Sequence, residues 1–116
     1  MNFPQLLQAL HADPLQVVIP ASWANGRASF GGLVAAMVFE VMRGQVPAER
    51  PLRSLAITFV GPVEPGVPTQ FEAQVLREGR AVSQVLGKAS QNGQVCALVQ
   101  GSFGMLRAGL FSGFDA

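Results

Sequence analysis

Apolar side chains recur along this chain in three rhythms, and each rhythm predicts a different element. Phe3, Leu6, Leu7 and Leu10 fall at i, i+3, i+4 and i+7, the spacing of one helical face. Asn2 stands where a cap belongs and Pro4 is tolerated in a first turn, so a short amphipathic helix opens the chain and stops before Pro14. From about Phe30 to Val46 nearly every residue is apolar, which predicts a helix buried on most sides and roughly 25 Å long at ~1.5 Å per residue. Pro47 and Pro51 close it. Elsewhere the pattern turns strand-like. Leu15 to Ile19 and Leu52 to Val60 read as strands, and Phe71, Ala73 and Val75 alternate with Gln70, Glu72 and Gln74 as a strand with one wet face. Glu78-Gly79 turns the chain into Ala81 to Gln91, and Asn92-Gly93, the preferred two-residue hairpin turn, leads into Val95 to Phe103. Between the second and third strands, Gly61 to Pro68 carries too many prolines for a sheet.

One long apolar helix and several antiparallel strands can hide their apolar surface together only if the sheet curls around the helix. The pattern therefore predicts an α+β domain with a central helix wrapped by a curved antiparallel sheet. Ahead of the helix, Ala21 to Ser29 is a loop marked by Asn25-Gly26, and Gly31-Gly32 stands at the expected helix start.

At 116 residues and 49% hydrophobic, the chain makes one domain with a real core and leaves no room for two. Residues 1–105 are expected to form that domain. Residues 106–116, with Leu110, Phe111 and Phe114 in no clear period, form a tail that docks on a partner or continues into a longer chain. The net charge of +1, with eight basic residues spread out, gives no stripe for a phosphate backbone and argues against nucleic acid. The longest apolar run, Leu33 to Phe39, falls far short of the roughly 20 residues that span a bilayer, and no basic leader precedes it. With one cysteine and no internal disulfide, a cytoplasmic protein without membrane contact is expected. One His and one Cys make no ordinary metal site, and no cofactor is expected. Gly101-Ser-Phe-Gly104 lacks the spacing of a nucleophile elbow, and no dinucleotide or Walker glycine pattern follows a strand.

The order of elements resembles the hotdog fold. Trp23, Gly26-Arg27, Phe30-Gly31-Gly32-Leu33, Arg53-Ser54-Leu55, Gly61-Pro62, Leu76-Arg77-Glu78-Gly79-Arg80 and Gln91-Asn92-Gly93, in that order, resemble the N-terminal hotdog of the acyl-CoA thioesterase II family over about residues 15–107. The resemblance implies acyl-CoA as ligand and hydrolysis of its thioester to free acid and CoA, chemistry that needs a group to activate water and donors for the oxyanion. It also implies pairing with a second hotdog, hence a homodimer or larger homo-oligomer for a chain holding one. The rival reading is a non-catalytic half that dimerises or binds acyl-CoA and supports a site held elsewhere. A hotdog dehydratase would want a helix-proximal Asp/His pair, and none is found. In two-hotdog members an Asp, a Ser/Thr and a Gln act in the second hotdog. Carried onto this chain, the Asp falls on Ala56, the hydroxyl falls within Val75-Leu76-Arg77, and the Gln falls on Gln100.

Candidate site residues follow, each with a structural reading beside the functional one. Glu40 is the acidic residue of the apolar helix; single-hotdog relatives use a helix carboxylate whose spacing lands here on Phe39. Glu40 is therefore a general base, or a surface group paired with Arg43 at i+3. Gly31 and Gly32 either offer bare N–H groups to an oxyanion or permit close packing of helix on sheet. Trp23 and Phe30 flank an acyl or pantetheine channel, or belong to the core. Asn25 contacts the substrate or simply makes its turn, and Arg27 is placed to meet a CoA phosphate. Gln100 positions a water or lies exposed. Cys96 reads as a small core residue and His11 as exposed.

Overall fold

A computed structural model describes residues 2–23 and 27–104, with residues 27–29 described through their backbone alone. Asn25 and the 106–116 tail lie outside the described residues, as does the side chain of Arg27.

Helix α1 (Phe3–Ala12) begins as its sequence asks: Asn2 Oδ1 accepts the Gln5 N–H at 2.9 Å and Gln5 Oε1 accepts the Asn2 N–H at 2.8 Å. This reciprocal pair satisfies donors that a helix start otherwise leaves open. Its buried face is Leu6 and Leu10. Strand β1 (Val17–Val18) is shorter than the expected Leu15 to Ile19, because Pro20 and a 3-10 turn at Ala21–Trp23 draw the chain away from the sheet.

Helix α2 spans Arg27–Arg43, three residues earlier at each end than the apolar run suggests. Arg27 to Ser29 carry no apolar periodicity in the sequence, so the pattern understates where the helix starts. At the far end Gly44 disfavours helix, and the Arg43 guanidinium donates to the carbonyls of Pro47 and Ala48 at 3.2 and 2.9 Å, holding the chain in a turn.

Strands β2 (Leu52–Phe59), β3 (Pro68–Glu78), β4 (Val82–Gln91) and β5 (Gln94–Gly104) complete one antiparallel sheet in the order β1-β3-β4-β5-β2. Asn92 and Gly93 both adopt positive φ, 51° and 78°, as the tight β4–β5 hairpin demands. The helix lies across β3, β4 and β5 and leaves β2 largely uncovered. Glycines let it sit deep: a Cβ on Gly87 would stand 2.5 Å from Val38 Cγ1 and 2.6 Å from Met42 Sδ, and one on Gly101 would stand 2.9 Å from Met42 Cε. Along β5 the inner face carries buried Ala97, Val99 and Phe103, while the outer face carries exposed Gln100. Gln84 donates to the Ser102 hydroxyl across that outer face at 3.1 Å. The core is Met37, Val38 and Met42 of the helix against Phe71, Val85, Val99 and Phe103 of the sheet.

Candidate functional site

A cavity of about 560 Å³ opens beside the start of α2. The helix supplies Phe30, Gly31 and Val34; β2 supplies Phe59; and the proline-rich connection to β3 supplies Pro62, Val63 and Pro65. Of the lining residues, Val34 and Ala97 of β5 are buried, whereas Phe59 and Pro62 are exposed. No lining residue carries a titratable side chain. Its volume falls within the range of small-molecule pockets, and its walls suit an apolar group rather than acid–base chemistry.

The connection that forms one wall is held by Gln91. Its side-chain oxygen accepts the Glu64 N–H at 3.0 Å, and its amide nitrogen donates to the Glu64 carbonyl and the Thr69 hydroxyl, each at 2.9 Å. An amide side chain thus reproduces the two-way pairing of a strand neighbour for a segment whose prolines prevent it from joining the sheet. Gly66 N–H adds a bond to the Ile19 carbonyl at 2.8 Å, and Gly61 N–H one to the Cys96 carbonyl at 3.0 Å.

The expected site residues scatter. Gly31 lines the cavity, and a Cβ there would come 3.3 Å from the Phe59 ring, so its bareness lets helix and β2 meet. Gly32 is exposed, with nothing within 4 Å of where its Cβ would stand. A helix leaves only its first four N–H groups unclaimed. Because α2 begins at Arg27, Gly31 and Gly32 are its fifth and sixth residues, past the unclaimed N–H groups of the first turn, and the helix's own carbonyls take their N–H groups. This corrects the placement of the glycine pair at the helix start. Trp23 is half-buried against the core and does not line the cavity.

Glu40 lies nine residues beyond Gly31, which places it ~13 Å along the helix axis at ~1.5 Å per residue. Its carboxylate faces His11 Nε2 of α1 at 3.7 Å, while Arg43 turns instead to backbone carbonyls and to the Phe103 ring, 5.2 Å from its centroid. The expected Glu40–Arg43 pair is thus replaced by a contact between the two helices, with His11 two-thirds exposed. Gln100 lies on the outer face, directly opposite Ala56 in the β2–β5 register. The two transferred positions are therefore neighbours, but they sit on the face turned away from the helix and the cavity. The third, Val75 to Arg77, falls at a break in the β3–β4 register. Among the described residues, no group of three or more His, Cys, Asp or Glu side chains could hold a metal. Burial raises the Cys96 thiol pKa, with the Gln91 backbone N–H pulling the other way.

Phe59, Pro62, Val63, Pro65 and Ala97 escape the sequence reading. Their signal is faint: a proline-rich connection reads as a strand breaker, and nothing in one chain marks it as a cavity wall.

Helix, wrapped sheet and cavity define a hotdog protein of the thioesterase superfamily. The chain belongs to the acyl-CoA thioesterase N-terminal domain family, which matches residues 19–104. Among solved structures it is similar to the acyl-CoA thioesterase II TesB2 of Mycobacterium marinum, at 26% identity and a TM-score of 0.65 over 71% of this chain and 32% of that one. It is similar in fold to the TesB protein of Mycobacterium avium subspecies paratuberculosis, at 21% identity and a TM-score of 0.68 over 96% of this chain and 46% of that one. A Bacillus halodurans protein solved with CoA shares the fold at 22% identity and a TM-score of 0.64, over 80% of this chain and 70% of that one. The chain thus spans less than half the length of either TesB protein. No curated protein matches it. Among the described residues, no helix is long and apolar enough to cross a membrane.

Proposed function

We propose that this protein is an acyl-CoA-binding member of the thioesterase family, holding the acyl group in the cavity beside α2 and pairing with a second hotdog. The observation that carries this reading is the cavity itself, lined mainly by apolar groups and built in a domain of the acyl-CoA thioesterase family. Water attack on a thioester needs a base or an aligned polar network beside the carbonyl. The described residues put neither on the cavity: Glu40 stands six residues beyond Val34 along the helix and faces His11, and Ala56 stands at the position onto which the family's Asp transfers. Hydrolysis by this chain, singly or paired with its own copy, is therefore slow or absent.

The partner is a second copy. Strand β2 ends the sheet with eight residues and an edge that no other strand pairs among the described residues, beside which Leu52, Leu55, Ile57, Phe59 and Val60 are 37 to 59% exposed. An apolar edge of this kind invites strand addition, and antiparallel pairing of β2 with its own copy is self-complementary. The lone cysteine fits a cytoplasmic setting. Calorimetric titration with decanoyl-CoA and with CoA tests the reading: the acyl-CoA should bind far more tightly, and equal affinity would reject the cavity as the acyl site.

A further inference from the structure

The outer face of the sheet, turned away from α2, divides into a charged side and an uncharged side. The pairing register sets Ala56 beside Gln100, Thr58 beside Leu98 and Ser54 beside Ser102. On the other flank of β5, Gln100 meets Leu86 and Ser102 meets Gln84. These positions of β2, β5 and β4 form one continuous patch without a charged side chain. The charges stand apart from it, with Glu72 and Arg77 on β3, and Lys88 of β4 turned to Glu72 at 3.6 Å. Ser54, Ala56, Thr58 and Gln100 are exposed, and Leu86 and Leu98 lie half-buried beside Gln100. Depletion of charge, more than apolarity, distinguishes the middle of a protein interface from ordinary surface.

We infer that this uncharged face docks on the same face of another copy, so that two β2-paired dimers stack into a four-chain particle. The inference rests on the β2 pairing above and adds a second surface to it. The occupant is a second copy because the patch is complementary to itself. Its polar groups are amides and hydroxyls, each able to donate and to accept, so an isologous contact offers every one a partner in its own copy. A strongly charged partner of either sign would find no counter-charge here. Pairing through β2 also brings two such patches side by side across the two-fold axis. Each chain offers three strands about 4.8 Å apart over about five residues of ~3.4 Å, an area near 240 Å². With two chains on each side of the stack, about 1,000 Å² is buried in all, below the ~1,200–2,000 Å² of a stable interface. The stack is therefore weaker than the β2 pair and forms only as the protein is concentrated.

The test is sedimentation velocity of the full chain from ~20 μM to ~1 mM. The parent's average mass should climb from two chains toward four, equally at low and high salt, because no charge takes part. Gln100→Glu and Gln100→Lys each set like charges across the stack and should hold the mass at two chains. Ala56→Glu should do the same from β2. Both positions are exposed, so the urea midpoints should match the parent's. An equimolar mixture of Gln100→Glu and Gln100→Lys should regain the four-chain mass and lose it again as salt rises. A parent that stays at two chains at ~1 mM, or a climb that survives Gln100→Glu and Ala56→Glu, overturns the inference and leaves β2 pairing intact. A parent that is one chain at ~20 μM, reaches two at ~1 mM and loses that gain in Gln100→Glu rejects the β2 edge and keeps this face. One chain at every concentration rejects both.

Discussion

Replacing Gln91 with Leu removes a side chain that ties the cavity wall to the sheet, so its effect can be worked from the bonds it makes. Three go at once: Glu64 N–H to Oε1, and Nε2 to the Glu64 carbonyl and to Thr69 Oγ1, with a longer contact to the Val67 carbonyl at 3.3 Å. Glu64 is exposed and its freed backbone groups can turn to water, so each of those bonds is worth only about 0.5–1.5 kcal/mol. Thr69 is fully buried; its hydroxyl loses this donor and keeps the longer bond to the Val67 carbonyl at 3.4 Å, which costs a further ~1 kcal/mol. Leu roughly preserves the volume, so little cavity penalty is added. The sum is about 2–4 kcal/mol, a large share of a typical domain's stability. With an m value of roughly 1.5–2 kcal/mol/M, the urea midpoint should fall by about 1–2 M. Hydrogen exchange should show the Glu64 and Gly66 amides losing protection ahead of the β4–β5 ladder, because the wall opens before the sheet does. A stability loss below ~0.5 kcal/mol, together with unchanged exchange at Glu64, would show that the loop is held by something other than this amide.

Three further outcomes follow from the packing. Gly87→Ala drives a Cβ into Val38 and Met42; overpacking of about 1–3 kcal/mol outweighs the ~0.4–1 kcal/mol gained from a stiffer unfolded chain, and Met42→Ala in the same chain should show favourable coupling in denaturation. Cys96 should react with thiol reagents more slowly than a free cysteine at neutral pH and speed up as pH climbs, because burial raises its pKa. As the folded value lies above the unfolded one, stability should fall through the same alkaline window; pH-independent labelling would contradict this. Ile57→Lys places like charges against each other across a β2–β2 pair, so light scattering should report monomer for the variant and dimer for the parent. A parent that stays monomeric at tens of micromolar, where interfaces with Kd near ~1 μM form, would refute the pairing.

The elements were largely legible because each rests on local chemistry. Asn2 and Gln5 spell a capping box, Asn92-Gly93 spells its turn, and the alternation from Gln70 to Val75 marks the two faces of β3. The start of α2 was not, since Arg27 to Ser29 carry no apolar pattern to betray a first turn. The site was much less legible than the fold. Gly31 stood out as a glycine, but its use depends on Phe59, 28 residues away in sequence and brought beside it only by the sheet. Glu40 drew attention as a carboxylate in an apolar run, yet what it meets is set by the return of α1, which puts His11 within reach. Gln91 looked like the end of a strand; its hold on Glu64 and Thr69 exists only after the proline-rich connection has folded over it.

The central claim is that the chain holds acyl-CoA through an apolar cavity on which its described residues place no general base. One paired experiment tests it: decanoyl-CoA binding by calorimetry and thiol release from the same mixture, for the parent and for Glu40→Ala. The account predicts binding much tighter than that of CoA, slow or no thiol release, and less than a twofold change in either from Glu40→Ala. Brisk thiol release that Glu40→Ala abolishes would contradict it and make Glu40 the base.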